Sequence, residues 1–252
     1  MRLHPDEPQT SRWRTLTDDQ ARQVLWSGLG RPGGGHTGCR SLVLVDGRSG
    51  GGKTTTATRI AALLEAAVVH TDDVAWHLHP TQWAEELIAG VIEPWSKGEH
   101  VSFRPPGWIA KDRPGSIEVE PSDVLVIEGV GAGRHDLAEL AGVIEPGVGV
   151  FAVWVQSDLD EARRRGVARD VVQEGRTPEE AEAFWDAWAL DEDPFLAAER
   201  PWARAGLVVC GTCGGDRLVV GDREDIDTVS RSPLDRRDGV GRAGLEPATQ
   251  GL

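Results

Sequence analysis

Short, nearly uninterrupted apolar runs recur along the middle of the chain, and most of them end at a polar or acidic residue. The clearest runs are residues 42–45, Ala67–His70, 124–127, 148–155 and Leu207–Cys210. Runs of this length, apolar at consecutive positions and rich in β-branched residues, are typical of strands buried on both faces of a parallel sheet. Residues 218–220 predict another strand, and the alternating residues 117–120 predict an edge strand.

Segments with helical spacing of apolar residues lie between these runs. They cover residues 54–67, 82–92, 159–172 and 178–190. Strands that alternate with helices predict an α/β fold with a central parallel sheet covered on both faces. The pattern places this domain at residues 41–222.

The two ends of the chain differ from this pattern. Residues 1–40 are interpreted as a peripheral segment, in which residues 17–20 predict the start of a short helix running to Trp26. Residues 28–38 contain six glycines and a proline, which predicts a flexible linker. Residues 223–252 are polar with alternating charges, and this composition predicts disorder.

Charge and composition exclude several classes of function. The net charge of -14 over 252 residues argues against nucleic acid or an anionic membrane as the main partner. No apolar run reaches 18 residues and the polar N-terminus lacks the apolar core of a signal peptide, so a cytoplasmic location is expected. Three cysteines argue against a disulfide framework. Cys210 and Cys213 form a C-x-x-C pair after a strand, with no second pair to complete a zinc site, so a structural role is expected.

Residues 47–54 read Gly-Arg-Ser-Gly-Gly-Gly-Lys-Thr and match the phosphate-binding pattern G-x-x-x-x-G-K-[ST]. Glycines let the backbone turn and present its N–H groups to phosphate oxygens, and the helix that follows adds unpaired N–H groups. Lys53 would reach the β- and γ-phosphates, and the Thr54 hydroxyl would bind Mg²⁺. A chance match is the alternative in a glycine-rich chain, but lysine is scarce and both flanking elements are predicted.

Acidic residues stand at the ends of three predicted strands, where ligands bind in an open parallel sheet. Asp46 precedes the loop and could set its geometry. Glu128 follows residues 124–127 and could hold Mg²⁺ through water, although a solvated strand end is the alternative. Asp72 or Asp73 could orient an acceptor hydroxyl and take its proton, with a helix N-cap as the alternative.

Arginines cluster in the predicted helix 159–172 and just after it. Their positions are Arg163, Arg164, Arg165, Arg169 and Arg176. Arginines that close over a transferring phosphoryl group stabilise its charge, and a mobile lid can deliver them. The alternative is a solvated helix face paired with neighbouring aspartates.

These motifs, in this order, resemble the uridine kinase-like family of P-loop kinases over residues 42–212. The resemblance implies a P-loop NTPase three-layer sandwich with an arginine-bearing lid, and it implies ATP and Mg²⁺ as cofactors. The catalytic residues it implies are Asp72, as the base, and Lys53, Arg165 and Arg169. It also implies that Arg165, Arg169 and Arg176 are lid arginines. The implied nucleotide-binding residues are Gly47, Arg48, Ser49, Gly50, Gly51, Gly52, Lys53, Thr54, Thr55 and Arg176, and the implied metal-binding residues are Thr54 and Glu128.

The acceptor side departs from the family. Val74, Ala75 and Trp76 follow Asp73 where uridine kinases place an aromatic pair. Three hypotheses therefore stay open: a nucleoside kinase, a kinase for a non-nucleoside alcohol such as a vitamin precursor or sugar, and an ATP-binding regulatory module without turnover. The sequence contains no Asn-Lys-x-Asp guanine motif, and this argues against a GTPase.

Aromatic residues near this side could contribute to binding. Trp76, Trp83, Trp95 and Trp108 are interpreted either as a wall of the acceptor site or as plain packing. Trp185, Trp188 and Trp202 are expected in the core. His77 and His79 are not expected to bind a metal.

Overall fold

A computed structural model describes residues 1–34, 40–76, 83–137 and 148–222 of the chain. Its strands are β1 (Trp13–Thr15), β2 (Ser41–Gly47), β3 (Ala67–His70), β4 (Val101–Phe103), β5 (Ile117–Val119), β6 (Val124–Glu128), β7 (Gly149–Gln156), β8 (Leu207–Cys210) and β9 (Val219–Gly221). Its helices are α1 (Asp18–Gly28), α2 (Lys53–Leu64), α3 (Thr71–Ala75), α4 (Ala84–Leu87), a π-helical segment (Ile88–Ile92), α5 (Glu93–Ser96), α6 (Pro106–Ala110), α7 (Leu159–Gln173), α8 (Pro178–Glu199) and α9 (Pro201–Arg204).

Seven strands form the main sheet in the order β1-β9-β8-β7-β2-β6-β3. The five strands from β8 to β3 pair in parallel, while β9 and β1 add antiparallel strands at one edge. The parallel core and the α/β class are those predicted from the sequence. Residues 117–120 were predicted as an edge strand, and the corresponding β5 pairs with β4 in a separate two-stranded sheet.

Apolar residues on both faces of the main sheet explain the uninterrupted runs. Val43 and Val45 of β2 pack into the core layer that also contains residues of α1 and α2. Leu42 and Leu44, which point the other way, pack into a second layer formed with residues from 83 to 119. Since successive strand residues face opposite sides, both layers need apolar residues. The result is a three-layer α/β sandwich, as predicted.

The predicted helix 82–92 contains a π-helical segment and continues beyond residue 92 as α5. Helix α4 begins at Ala84, and the chain continues through Ile88–Ile92 into α5, which ends at Ser96. Pro94 was expected to stop the helix, but it lies at the start of α5. A proline is tolerated there because the change in hydrogen-bonding pattern removes the need for its missing N–H.

The N-terminal segment has a larger part in the domain than the sequence suggests. Strand β1 pairs with β9, and α1 is capped by Thr17 and Gln20 as predicted. Leu16 and Leu25 are 1% and 0% exposed and belong to the core beside α2. Gly28 ends α1, and residues 35–38 of the predicted linker lie outside the described residues.

Within the described ranges, no helix is both long and apolar enough to cross a membrane. The tail 223–252, for which disorder was predicted, lies outside those ranges.

Candidate active site

The phosphate loop connects β2 to α2 at the carboxyl edge of the sheet. Gly50 and Gly52 have φ angles of 66° and 94°, in the region that favours glycine. A Cβ atom on Gly50 would lie 2.1 Å from the carbonyl oxygen of Ala162 in α7. The glycines therefore allow the loop both to turn and to pack closely against α7.

Lys53 and the two threonines after it begin α2 and face the site. Lys53 is 9% exposed, and its Nζ donates a hydrogen bond to the carbonyl oxygen of Arg48 at 2.9 Å. Lys53, Thr54 and Thr55 line the cavity described below. The structure therefore brings the predicted lysine and hydroxyls to one place.

Arg48 and Ser49 both contact α8, and of the two Ser49 also lines the cavity. The Arg48 guanidinium forms ion pairs with Glu192, at 3.3 Å, and with Asp193, both in α8. The backbone N–H of Ser49 donates to Oε1 of the same Glu192 at 2.8 Å. The side chain of Arg48, predicted to bind nucleotide, thus fastens the loop to α8 from outside the cavity, because a buried guanidinium requires a charged partner.

Glu128 ends β6 beside Thr54. Its carboxylate is buried, Oε1 accepts a hydrogen bond from the Thr54 hydroxyl at 3.2 Å, and Nδ1 of His70 lies 2.5 Å from the same oxygen. This hydrogen bond raises the pKa of His70. Oε2 of Glu128 is buried without a hydrogen-bond partner among the described residues.

A hydroxyl and a carboxylate oxygen with spare lone pairs are suitable ligands for Mg²⁺, which prefers oxygen. When Mg²⁺ is bound to phosphates, the protein usually supplies only one or two of its ligands. The described residues contain no preformed group of three or more His, Cys, Asp or Glu side chains suited to a metal. His77 and His79 lie outside these residues. The sequence reasoning did not find the contact between His70 and Glu128, although the predicted ends of two strands place both residues at one edge.

Asp46 joins the phosphate loop to the loop after β6. Its carboxylate accepts hydrogen bonds from the backbone N–H groups of Gly47 at 2.7 Å, Gly131 at 3.1 Å and Gly133 at 2.9 Å. Burial raises its pKa to about 6, against the lowering effect of these hydrogen bonds and of Lys53. The residue therefore sets the geometry of the loop, as the sequence indicated.

Asp72 and Asp73 differ in surroundings although they are neighbours in α3. Asp72 lines the cavity. The Asp73 carboxylate accepts a hydrogen bond from Arg113 at 3.1 Å, and its backbone carbonyl accepts one from the Trp108 indole at 2.8 Å. Of the two carboxylates considered in the sequence, Asp72 is the one that lines the cavity.

Of the arginines predicted to belong to a lid, some line the cavity. Arg165 and Arg169 of α7 both line it. Nη1 of Arg165 donates to the carbonyl oxygen of Gly211 at 2.8 Å, and Arg169 is paired with Asp170 at 2.9 Å. Arg176 is paired with Asp170 at 3.4 Å and lies 4.0 Å from the ring centre of Phe184. Arg176, predicted as a lid arginine, is not among the described residues that line the cavity.

The cavity has a volume of about 780 Å³. Its lining combines the phosphate-binding, acidic and basic residues above with an aromatic wall. The aromatic residues are Trp76, Trp83, Phe184, Trp185 and Trp188. Trp185 and Trp188 were expected in the core. Trp185 is buried, at 8% exposure, and also lines the cavity, whereas Trp188 is only partly buried and lines the cavity.

Other tryptophans pack elsewhere. Trp95 and Trp108, considered as wall residues, belong instead to the core beside the π-helical segment, and Trp202 packs in the core as predicted. Helical spacing cannot distinguish a residue buried against the sheet from one that lines a cavity, so the sequence could not assign these residues.

A second cavity of about 700 Å³ lies beside the first, between α2 and the loop from β8 to β9. Gly52, Thr54, Thr55 and Arg165 line both cavities. In the same loop, Cys210 and Cys213 form a disulfide, which the cysteine count did not suggest.

Comparison with solved structures points to the same architecture, whereas two other comparisons found no match. No protein-family model matches the sequence, and no curated protein matches it. A solved structure from Silicibacter sp. TM1040, provisionally assigned as a fructose transport system kinase, is 22% identical, with a TM-score of 0.50 over 75% of this chain and 95% of that one.

Two further structures are more distant. One from Bacillus stearothermophilus, provisionally assigned as a uridine kinase, is 18% identical with a TM-score of 0.41, over 76% of this chain and 99% of that one. Shikimate kinase from Bacteroides thetaiotaomicron is 17% identical with a TM-score of 0.32, over 69% of this chain and 86% of that one. These two scores are too low to add to the argument. With its phosphate loop, sheet order and the first of these likenesses, the chain has the fold of P-loop kinases.

Proposed function

We propose that this protein is a kinase that transfers the γ-phosphoryl group of ATP to a hydroxyl group of a small molecule. One observation carries the proposal: residues 49–54 of the phosphate loop line the same cavity as Asp72, Glu128 and two arginines of α7, Arg165 and Arg169. Phosphoryl transfer depends on positioning and charge stabilisation more than on covalent help from the protein, and this cavity combines both.

The two adjoining cavities suit two substrates. The second cavity would hold the base and ribose of ATP between α2 and the loop after β8. The triphosphate would pass over Gly52 and Thr54, which line both cavities, and end in the first cavity. Backbone N–H groups of the loop and the Lys53 ammonium would bind its oxygens, with Arg165 and Arg169 facing the γ-phosphate.

The acceptor would occupy the part of the first cavity between α3 and α8. Asp72 would accept a hydrogen bond from the acceptor hydroxyl and take its proton as the new phosphorus–oxygen bond forms and the bond to ADP breaks. Thr54 and Glu128 would hold Mg²⁺, which would neutralise charge on the phosphates. The lid helices would exclude water, so that the acceptor rather than water receives the phosphoryl group.

The aromatic wall favours an acceptor with a flat or apolar face. Indole rings stack on heterocyclic bases and also pack against the C–H faces of sugars. A nucleoside is therefore the first candidate, and a sugar or another alcohol is the second. The provisional assignment of the Silicibacter protein to fructose transport adds fructose to the compounds worth testing.

The test is acceptor-dependent production of ADP. Purified protein with ATP and Mg²⁺ is given nucleosides, pantothenate, shikimate, fructose and other simple sugars, one at a time. We expect one class of acceptor to raise turnover, and Lys53→Ala to abolish the increase because the lysine that binds the transferring phosphate is gone.

The negative outcome also discriminates. The wild type could bind ATP, lose this binding in Lys53→Ala, and still show no turnover with any acceptor in a broad panel. This result would contradict the kinase proposal and favour a nucleotide-binding regulatory module. No ATP binding at all would contradict both.

A further inference from the structure

The phosphoryl transfer proposed above makes no use of sulfur, yet a cysteine pair flanks Gly211, which lines the second cavity. Cys210 is the last residue of β8 and is 8% exposed, whereas Cys213 is exposed in the following loop. Their disulfide closes a ring around Gly211 and Thr212. One sulfur atom is therefore open to attack from solution, and the other is sheltered.

The peptide inside this ring contacts both the phosphate loop and the lid. The carbonyl oxygen of Gly211 accepts a hydrogen bond from Arg165 at 2.8 Å, and its N–H donates to the carbonyl of Gln156 at 2.8 Å. A Cβ atom on Gly211 would lie 1.8 Å from the carbonyl oxygen of Gly51, so the two backbones touch. The position of Gly211 thus affects both the loop that would bind phosphate and a lid arginine.

The chain just beyond the ring forms a wall of the second cavity. Residues 214–218 line it, and Gly214 and Gly215 have φ angles of 69° and 94°. Two successive glycines in this region make a segment with many accessible conformations, since glycine loses the most freedom when it becomes ordered. The disulfide fixes the start of this segment to the end of β8.

We propose that Cys210 and Cys213 are a reversible thiol–disulfide site that controls the affinity of the protein for nucleotide. The disulfide form binds nucleotide tightly, because the wall of the second cavity and the Gly211 peptide are already in place. The dithiol form binds more weakly, because binding must then order this segment. The inference rests on the proposed function only in placing a nucleotide in the second cavity.

Reduction requires a dithiol, and the reverse exchange requires a disulfide as oxidant, such as the oxidised form of the same dithiol. A thiolate of the reductant attacks the exposed sulfur of Cys213, the S–S bond breaks, and Cys210 leaves as a thiolate that takes up a proton. The second thiol of the reductant then displaces Cys213 from the mixed disulfide. Two electrons and two protons pass to the protein, and the reductant becomes a cyclic disulfide.

The experiment compares nucleotide affinity in the two forms of one protein. Cys39, the third cysteine of the chain, is replaced in Cys39→Ser so that only the pair can respond. Binding of a fluorescent ADP analogue is measured by anisotropy before reduction, after dithiothreitol treatment and removal, and after reoxidation, with the thiol count measured each time. We expect affinity to fall about tenfold on reduction, as expected when a short segment must be ordered, and to return on reoxidation.

A matched variant separates redox control from other effects of the reductant. The triple variant Cys39→Ser, Cys210→Ser, Cys213→Ser should bind like the dithiol form whether or not dithiothreitol is added. Equal or tighter binding after complete reduction of the Cys39→Ser protein would overturn the proposal and leave the kinase function standing. If neither form binds the analogue, the site and the proposed function both fail.

Discussion

Asp46, the next-to-last residue of β2, accepts backbone hydrogen bonds from two loops and is buried at 1% exposure. Removal from water raises the pKa of its carboxyl group from 3.8 to about 6, although Lys53 and the hydrogen bonds oppose this. The folded protein therefore takes up the proton more readily than the unfolded chain. This makes the contribution of Asp46 to stability dependent on pH.

The sign of this dependence gives a prediction. A group whose pKa is raised on folding contributes stability that is complete below its unfolded pKa and is lost as pH rises through the folded value. The free energy of unfolding of the wild type, minus that of Asp46→Asn, should therefore fall by about 2–3 kcal/mol between pH 4 and pH 7. Urea denaturation of both proteins at several pH values measures it, and a difference that stays constant or rises would show that the carboxylate is not destabilised by burial.

At the residue scale, the sequence predicts identities better than orientations. The pattern of residues 47–54 placed Lys53 and Thr54 correctly at the cavity, because a phosphate loop constrains its own backbone. It could not show that Arg48 turns toward Glu192, since that contact joins residues 144 positions apart. The same limit applies to Asp72 and Asp73. Their surroundings differ because Arg113, which is distant in sequence, binds the Asp73 carboxylate.

Helix α8 connects the aromatic wall to the phosphate loop. Trp185 and Trp188 lie in its first half and line the cavity, while Glu192 in its second half binds Arg48 and the backbone of Ser49. The Glu192 side chain is 1% exposed, whereas that of Asp193, which pairs with the same guanidinium, is 50% exposed. The two acids therefore offer a matched comparison between a buried and an exposed ion pair.

Replacing the buried partner should be costly. Glu192→Ala should lower the free energy of unfolding by about 3–5 kcal/mol, because the Arg48 charge stays buried without its main partner. Asp193→Asn should cost less than about 1 kcal/mol, since exposed ion pairs contribute little. Chemical denaturation measures both, and equal effects of the two substitutions would contradict the role given to burial.

Most elements could be predicted because the strands of the parallel core consist mainly of apolar residues, and the central ones, β2 and β6, are buried throughout. The exceptions are elements whose stability comes from contacts distant in sequence. Strand β1 has only three residues, which are too few for a pattern, and it exists because β9 offers a free edge. Helix α8 was predicted to end at residue 190 but continues to Glu199, through Pro194.

The whole molecule depends on its N-terminal segment. Four apolar residues of this segment, Leu16, Ala21, Leu25 and Leu29, lie in the core layer with α2. Residues 1–40 were interpreted as peripheral, with a glycine-rich linker between them and the first predicted strand. A break in local pattern does not measure how much surface a segment buries in the folded molecule.

A deletion tests this point. Removing residues 1–30 should leave a protein that no longer unfolds cooperatively, because the loss of each buried leucine side chain alone costs about 2–5 kcal/mol against a typical total of 5–15 kcal/mol. Removing residues 223–252 serves as the control and should leave the unfolding transition unchanged. A cooperative transition at wild-type stability after the first deletion would contradict the structural role of the segment.

The central claim is that this one cavity transfers a phosphoryl group to an acceptor that Asp72 prepares. The most direct test is to compare Asp72→Asn with Asp73→Asn, once an acceptor is known, by measuring kcat for phosphorylated product and the Kd for ATP. The account predicts that Asp72→Asn lowers kcat about 10²–10⁴-fold while the Kd for ATP stays within about threefold, as expected for loss of a general base. Asp73→Asn should keep most of the activity, because its carboxylate is held by Arg113. If Asp72→Asn turns over as fast as the wild type, or if Asp73→Asn shows the larger loss, the assignment of the site is wrong.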